Sequence, residues 1–254
     1  MAELRGTGRA AGPGVTVGLA PTEVRRDHEI YSIDGGWFKA RWHFSFDQYY
    51  DPDNMGIGLM RVFNHDTLVA GAIWPMHPHR DIEGLTYVVA GHFEHADSLG
   101  NDGVLEPGGV QRMTLGSGSW HSERNYSKSE PMQFIQIWIR PNRSSLEPSV
   151  EQYQFTEDDR TNTLLEAIRP EGTEGPGVMV HQNVSVYISR LLPGAEVEHI
   201  FEEGRGGYLY LIGGALRANE EELTTGDAVR IPGEGAMRLA ANEVSELILV
   251  DTPL

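Results

Sequence analysis

The sequence of 254 residues contains no cysteine, and this absence excludes several kinds of chemistry. A disulfide framework, a thiolate nucleophile and a cysteine-bound zinc or iron–sulfur site all require the thiol group. Any metal site in this chain must therefore be built from histidine and carboxylate side chains.

Long apolar runs are also missing. No segment approaches the roughly 20 apolar residues that are needed to cross a bilayer. Residues 1–18 contain arginines and glycines but lack the apolar segment of a signal peptide. We therefore expect residues 1–18 to form a flexible tail on a soluble, cytoplasmic protein that does not contact a membrane.

Basic side chains are few. The chain has 20 lysines and arginines against 37 aspartates and glutamates, which gives a formal net charge of −17. Binding to a phosphate backbone or to an anionic membrane surface requires a basic face, so we expect no direct contact with nucleic acid. The hydrophobic fraction of 39% is nevertheless large enough to bury a sizeable core, so the chain is not disordered as a whole.

Short segments rich in β-branched and aromatic residues, bounded by turn residues, predict an all-β fold. The clearest helical pattern, Thr161–Ile168, is closed by Arg169 and Pro170 and lies in a polar segment. The predicted strands are Leu85–Val89, His92–His95, Val110–Thr114, Phe134–Ile139, Val184–Leu191, Tyr208–Ile212, Ala228–Ile231 and Leu247–Val250.

An internal echo predicts two similar halves. Tyr87–Phe93 followed by Pro107–Arg112 resembles Tyr210–Leu216 followed by Thr225–Arg230, and each pair contains a strand, a glycine turn and further strands. Two tandem barrels of the jelly-roll kind fit this pattern best. We therefore predict a tail over 1–18, an N-terminal domain over 19–140, a linker with a short helix over 141–176, and a C-terminal domain over 177–254.

Six of the ten histidines lie between His65 and His121. His77 and His79 are two residues apart, so on a strand they share a face, and the same holds for His121 and Glu123. A chance pair of histidines on a polar face is the simpler explanation of one such motif. Two motifs with acidic neighbours favour a metal site of three imidazoles and one carboxylate, which leaves two octahedral positions for substrate and for dioxygen or water.

These motifs resemble those of the pirin-like bicupins, and the C-terminal half is similar to the bacterial quercetin-dioxygenase-like branch of that family. The resemblance covers nearly everything after about Val15, and it implies an all-β bicupin, that is, two tandem cupin domains of the jelly-roll β-barrel kind. The matching segments are 36–46, 49–52, 77–81, 94–101, 110–114, 121–123, 181–187 and 223–227.

By this resemblance, the metal ligands are His77, His79, His121 and Glu123. The family usually holds one divalent ion, iron(II), and nickel, manganese, cobalt or zinc are alternatives. The general cupin pattern instead places its carboxylate four residues after the second histidine, at Glu83. We expect Glu123 to be the ligand, because the residues around it match the pirin branch. Glu83 then becomes a candidate catalytic acid near the ligands, with an exposed strand carboxylate as the alternative.

The resemblance implies a metal-dependent quercetin 2,3-dioxygenase, which opens a flavonol ring with dioxygen and releases carbon monoxide. Either Glu123 or Glu83 would take the hydroxyl proton of the flavonol. Met76, Met113 and Trp120 adjoin the motifs in the sequence and are candidate walls for a flat aromatic substrate, although they could instead belong to the core. The second hypothesis is a metal-binding regulator that docks to a protein partner without turnover.

The second half lacks this set of ligands. When the glycine turns of the two halves are superimposed, Ile200, Glu202 and Leu239 take the places of the histidines. His199 has no histidine two residues away, so we expect no metal in the C-terminal domain and assign it a scaffold role. We expect His65 to lie in a surface loop, with the mouth of the site as the alternative.

Overall fold

Strands make up almost all of the regular structure of residues 17–254, the part of the chain that this computed structural model describes; the predicted tail lies almost wholly outside it. Two single-turn 3-10 helices, Asp27–Glu29 and Asp158–Arg160, are the helical elements in this part. None of its helices is long and apolar enough to span a membrane. The strands are β1 (Glu23–Arg25), β2 (Tyr31–Asp34), β3 (Phe38–Trp42), β4 (Met60–Leu68), β5 (Ile73–His79), β6 (Glu83–Ala90), β7 (Phe93–Asp97), β8 (Asp102–Leu105), β9 (Gly109–Thr114), β10 (Ser119–Asn125), β11 (Met132–Ile139), β12 (Ser149–Gln154), β13 (Leu165–Pro170), β14 (Val178–Val180), β15 (Ser185–Leu191), β16 (Glu196–Phe201), β17 (Arg205–Gly213), β18 (Ala215–Ala218), β19 (Glu221–Thr224), β20 (Ala228–Ile231), β21 (Gly235–Ala241) and β22 (Ser245–Pro253).

The strands form two barrels of the same design, as the internal echo predicts. In the N-terminal barrel a seven-stranded sheet, in the order β12-β9-β6-β11-β4-β3-β2, faces a four-stranded sheet, in the order β5-β10-β7-β8. In the C-terminal barrel the orders are β1-β20-β17-β22-β15-β13-β14 and β16-β21-β18-β19. The predicted all-β fold with two barrels is confirmed, and each of the eight predicted strands coincides with or overlaps an observed one.

The two seven-stranded sheets are buried on both faces. One face of each contributes to a shared core between the barrels, which contains Ile135 and Ile137 from β11 and Ile248 and Val250 from β22. The alternate residues of the same strands point into their own barrels, because successive side chains of a strand point to opposite faces. Each fully buried aliphatic side chain contributes roughly 1.5–3 kcal/mol to stability, so this shared core joins the barrels firmly.

The segment between the barrels differs from its prediction. The predicted helix Thr161–Ile168 is wrong: Leu165–Pro170 is strand β13, which pairs with β15 and β14. An eight-residue helix is marginal in water, whereas pairing in a sheet satisfies the backbone and buries Ala167 and Ile168. The predicted linker 141–176 therefore contributes β12 to the N-terminal sheet and β13 to the C-terminal sheet.

The first described residues belong to the C-terminal barrel, although the predicted boundary at residue 19 assigns them to the N-terminal domain. Strand β1 pairs antiparallel with β20, and Leu19 pairs with Ala236. Just beyond β1, the Asp227 carboxylate accepts hydrogen bonds from the backbone N–H of Asp27 at 2.9 Å and of Thr224 at 3.0 Å. The chain thus crosses from the C-terminal barrel to the N-terminal barrel at a fixed point.

Candidate metal centre

Strands β5 and β10 carry the predicted ligands as neighbours in one sheet. They run antiparallel, with His121 opposite His77 and Ser119 opposite His79. Because side chains two residues apart share a face, His77 and His79 point with His121 and Glu123 into the N-terminal barrel, where all four line one cavity. The period-two spacing in the sequence is the reason that these residues meet.

The three imidazoles converge. Possible ligand nitrogens of His77, His79 and His121 all lie within 4.8 Å of one another. The Nδ1 atom of His77 lies 2.8 Å from the carbonyl oxygen of Pro75. When Nδ1–H donates a hydrogen bond to this oxygen, the lone pair of Nε2 is free to bind a metal. Hydrogen bonds of this kind orient histidines that bind metals.

His121 provides the test of whether these residues fit a metal. The residue is buried, and neither of its ring nitrogens has a hydrogen-bond partner within residues 17–254. A buried imidazole without any partner is destabilising, since the lost hydrogen bonds to water are not replaced. A divalent ion bound by the three imidazoles supplies the missing interaction, so the donor set fits such an ion.

The electrostatics of the cluster favour neutral imidazoles. Burial, and then repulsion from His77 and His79, lower the pKa of His121 to about 3. Burial and His77 lower the pKa of His79 to about 4. A histidine must be deprotonated at the nitrogen that binds a metal, so these rings are in the binding form at neutral pH.

Glu123 lies beside the cluster rather than within it. Its Oε1 atom is 3.9 Å from Nδ1 of His121, and the side chain is buried in the cavity wall. Burial raises the pKa of Glu123 to about 7. Its place as the fourth ligand is supported by this proximity and remains a prediction.

The structure places Glu83 away from the predicted ligands, on the other face of the seven-stranded sheet. Glu83 is fully buried on β6, on the face that carries Leu85 and Tyr87 into the core between the barrels. One carboxylate oxygen lies 3.0 Å from Nδ1 of His181, and the other accepts the backbone N–H of His181 at 3.3 Å. Glu83 pairs with Ile139 of β11, which packs in the core between the barrels. The alternate residues of β11, Gln136 and Trp138, line the metal cavity on the other side of the sheet.

A cavity of about 820 Å³ adjoins the cluster between the two sheets of the N-terminal barrel. Of the predicted substrate residues, Met76 lines it, whereas Met113 and Trp120 do not. Trp120 follows Ser119 and precedes His121, so it points to the outer face, where it is 50% exposed. Met113 is buried on β9 opposite Gly84.

Sequence reasoning missed most of the cavity wall. The aromatic residues are largely distant in sequence from the histidine motifs, and only their alternation on β3 and β11 could have indicated an inward face. The ring centroids of Trp138 and His79 are 4.8 Å apart, and those of Trp138 and Phe46 are 5.5 Å apart. The missed lining residues are Ile33, Phe38, Trp42, Phe46, Asp47, Gln48, Asn64, Asp66, Trp74, Pro75, Phe134, Gln136 and Trp138.

The prediction of a surface loop for His65 is wrong. His65 lies within β4, and its Nδ1 atom is 2.9 Å from the hydroxyl oxygen of Tyr210 in the C-terminal sheet. Burial is the main cause that lowers its pKa to about 4. The neighbours Asn64 and Asp66 point the other way, into the cavity.

The C-terminal barrel has positions equivalent to those of the four predicted ligands. On β16 they lie one residue before the predicted matches. His199 pairs with Met237 as His77 pairs with His121. Leu239 pairs with Ala218 of β18 as Glu123 pairs with His95 of β7. The residues at the places of His77, His79, His121 and Glu123 are therefore His199, Phe201, Met237 and Leu239.

The predicted matches at Ile200 and Glu202 are displaced by one residue and the match at Leu239 by two, because superimposing the glycine turns ignores differences in length between turn and strand. A slip of one residue exchanges the two faces of a strand, and Ile200 indeed lies on the outer face. His199 keeps an imidazole, but its Nε2 atom is 2.8 Å from Oδ2 of Asp251. Of these four positions, only that of His199 carries an imidazole or a carboxylate.

Comparison with known families agrees with this architecture. Residues 23–139 match the family model described as Pirin, and residues 168–252 match the quercetinase C-terminal cupin domain. The chain belongs to the pirin family. Its two barrels are accordingly cupin domains, and the predicted bicupin fold is confirmed.

Two relatives and a solved structure show the extent of the likeness. A quercetin 2,3-dioxygenase of Escherichia coli is 35% identical over 231 residues, which cover 91% of this chain and 98% of the relative. A pirin-like protein of Caulobacter vibrioides is 35% identical over 88% of this chain and 96% of its own length. The crystal structure of the E. coli bacterial pirin YhhW in complex with nickel(II) is 33% identical, with a TM-score of 0.85 over 92% of this chain and 99% of that one.

Proposed function

We propose that this pirin-family chain is a metal-dependent dioxygenase of the quercetin 2,3-dioxygenase type, which opens the ring of a flavonol with dioxygen and releases carbon monoxide. The observation that carries the proposal is the convergence of His77, His79 and His121 on a cavity with aromatic walls. The E. coli relative named quercetin 2,3-dioxygenase, similar along nearly the whole chain, supports it.

The ligand set in this proposal is His77, His79, His121 and Glu123, with iron(II) as the first candidate ion and nickel, manganese, cobalt or zinc as alternatives. The nickel(II) complex of the E. coli pirin supports a divalent ion in this family. When bound, the ion supplies Lewis acidity and a template for the flavonol and dioxygen.

The residues of the chain perform the remaining tasks. A carboxylate oxygen of Glu123 takes the proton of the flavonol hydroxyl, because this side chain lines the cavity 3.9 Å from Nδ1 of His121. Trp42, Phe46 and Trp138 form flat apolar surfaces in the cavity wall. An aromatic ring system packs against these surfaces and excludes water from them. The flavonol reacts with dioxygen, and the products, a depside and carbon monoxide, leave the cavity.

Anaerobic reconstitution tests the proposal. The metal-free protein is loaded separately with iron(II), nickel(II), manganese(II) and cobalt(II), and quercetin and oxygen are then added. We expect loss of flavonol absorbance that requires the ion and is absent in His121→Ala. His92→Ala, which changes a histidine outside the cavity lining, serves as the matched control and keeps the activity.

The result that would contradict the proposal is stoichiometric metal binding without turnover for every ion. That outcome would favour the regulator that acts through a protein partner.

A further inference from the structure

The wall of the cavity that faces the histidines carries a strip of polar side chains. Asn64 and Asp66 on β4 and Gln136 on β11 line the cavity from the seven-stranded sheet. Asn64 lies opposite Gln136 in the strand register, so the strip crosses two neighbouring strands. The surrounding walls are mainly aromatic, and a polar strip in such a surface fixes the orientation of a ligand.

Asp66, like Glu123 in the same cavity, differs from the buried carboxylates elsewhere in residues 17–254. It is only 7% exposed, yet no side chain or backbone N–H within residues 17–254 donates a hydrogen bond to its carboxylate, and no cation pairs with it. By contrast, Asp251 pairs with Arg205 and His199, and Glu83 pairs with His181. Buried carboxylates are rarely left without a partner, so Asp66 has unused capacity for hydrogen bonds.

The surroundings of Asp66 disfavour its charged form and place an amide donor in the same polar strip. Burial, and then the nearby carboxylate of Glu123, raise the pKa of Asp66 well above its usual value. Gln136 accepts a hydrogen bond at its Oε1 atom from Thr86 at 3.2 Å, which leaves its amide N–H groups as donors. The strip therefore offers both an acid and an amide to a ligand that carries hydroxyl groups.

We propose that Asp66 is a specificity-determining residue, which forms a hydrogen bond with a ring hydroxyl of the substrate away from the metal-binding oxygen. The inference rests on the proposed function and names its substrate class: flat aromatic compounds with further hydroxyl groups. Asp66 on β4 and the histidines on β5 and β10 line the same cavity from different sheets, so a ligand that contacts both carries a polar group in addition to its metal-binding oxygen.

A comparison of two flavonols tests the proposal. 3-Hydroxyflavone carries only the hydroxyl that binds the metal, whereas quercetin carries further ring hydroxyls. The metal-loaded wild type, Asp66→Ala and Asp66→Asn are titrated with each flavonol without oxygen, and kcat/KM is then measured with oxygen. Asp53→Ala, which removes a carboxylate from an exposed turn outside the cavity, is the matched control.

We expect the wild type to bind quercetin more tightly than 3-hydroxyflavone. Asp66→Ala should weaken quercetin binding by about tenfold to a hundredfold, since a site built to bond a hydroxyl loses that discrimination when its acceptor is removed. The affinity for 3-hydroxyflavone should change by less than about twofold, and Asp66→Asn should fall between, because its amide oxygen still accepts a hydrogen bond.

Equal changes for the two flavonols, or no change for either, would overturn the role of Asp66 while leaving the dioxygenase intact. Failure of the wild type to bind either flavonol would overturn the proposed function, and the inference with it. If Asp66→Ala does not fold, the nearly isosteric Asp66→Asn decides by the same comparison.

Discussion

At the scale of single residues, burial and hydrogen bonding distinguish the side chains of the cavity from those that only neighbour them in sequence. His121 is buried with two unpartnered ring nitrogens, whereas Trp120, one residue earlier, faces outward. Glu83 has both carboxylate oxygens bound to His181. A side chain that acts on a ligand must have both access to it and unused bonding capacity.

His121→Ala should separate metal binding from folding. Adding a divalent ion should raise the melting temperature of the wild type, because a ligand at a hundred times its Kd stabilises the native state by about 2.7 kcal/mol. The variant should show no such rise, and its metal-free stability should fall by only about 1 kcal/mol, since it also removes an unpartnered imidazole. Thermal melts with and without metal measure both effects; an equal rise in the variant would contradict the ligand assignment.

Glu83→Gln should affect stability rather than chemistry. Glu83 is fully buried and bonded to His181 between the barrels, so losing its charge should reduce the free energy of unfolding by about 1–3 kcal/mol. Metal stoichiometry and turnover per bound ion should stay within about twofold of the wild type. Urea unfolding and the quercetin assay test this. A large loss of turnover in a fully metal-loaded variant would restore the predicted catalytic role of Glu83.

At the scale of elements, the turns repeated in the two halves have the same structural cause. Gly91 and Gly214 follow β6 and β17, which hold the same third place in the order of their seven-stranded sheets, with φ of 76° and 97°. A Cβ atom would lie 2.7 Å from the carbonyl oxygen of Pro131 at Gly91 and 2.3 Å from that of Val244 at Gly214. The echo in the sequence is therefore a backbone requirement repeated in each barrel.

Replacing Gly91 or Gly214 should lower the free energy of unfolding more than replacing a glycine that has a similar φ but no close neighbours. Gly91→Ala and Gly214→Ala combine a left-handed backbone with a steric clash, so each should lower the free energy of unfolding by about 1–3 kcal/mol. Gly204 has a φ of 73°, and an added Cβ atom there would have no neighbouring atom within 4 Å. Gly204→Ala is therefore the matched control and should lose only about 1 kcal/mol. Urea unfolding measures the three values; equal losses would contradict the steric argument.

The crossing from β1 to the N-terminal barrel depends on Asp227. Burial alone would raise its pKa, but the backbone N–H groups of Thr224 and Asp27, together with Arg26, lower it below the ordinary value. A carboxyl whose pKa is lower in the folded state stabilises the protein above the unfolded pKa, and that stability is lost as the pH falls through the folded value.

Asp227→Asn should therefore reduce the free energy of unfolding by about 1–2 kcal/mol at neutral pH. The difference from the wild type should shrink as the pH falls below about 4, the ordinary range of an aspartate. Urea unfolding across this pH range tests the direction. A difference that stays constant or grows toward acid pH would contradict the account.

At the scale of the whole molecule, local patterns predicted the two barrels, eight of the strands and the meeting of three histidines, because each depends on the period of a strand or on a turn. The position of β1 in the C-terminal sheet could not be predicted, since it depends on pairing between residues about 200 positions apart. The strand at Leu165–Pro170 and the inward face of Asp66 likewise depend on which strands become neighbours.

Oxygen uptake shows whether the histidine cluster holds an ion that drives flavonol cleavage in the cavity. An oxygen electrode would follow the metal-loaded wild type and His121→Ala after addition of quercetin. We expect uptake equal to the quercetin consumed, with release of carbon monoxide, in the wild type alone. No uptake by the fully metal-loaded wild type, or equal uptake by His121→Ala, would contradict it.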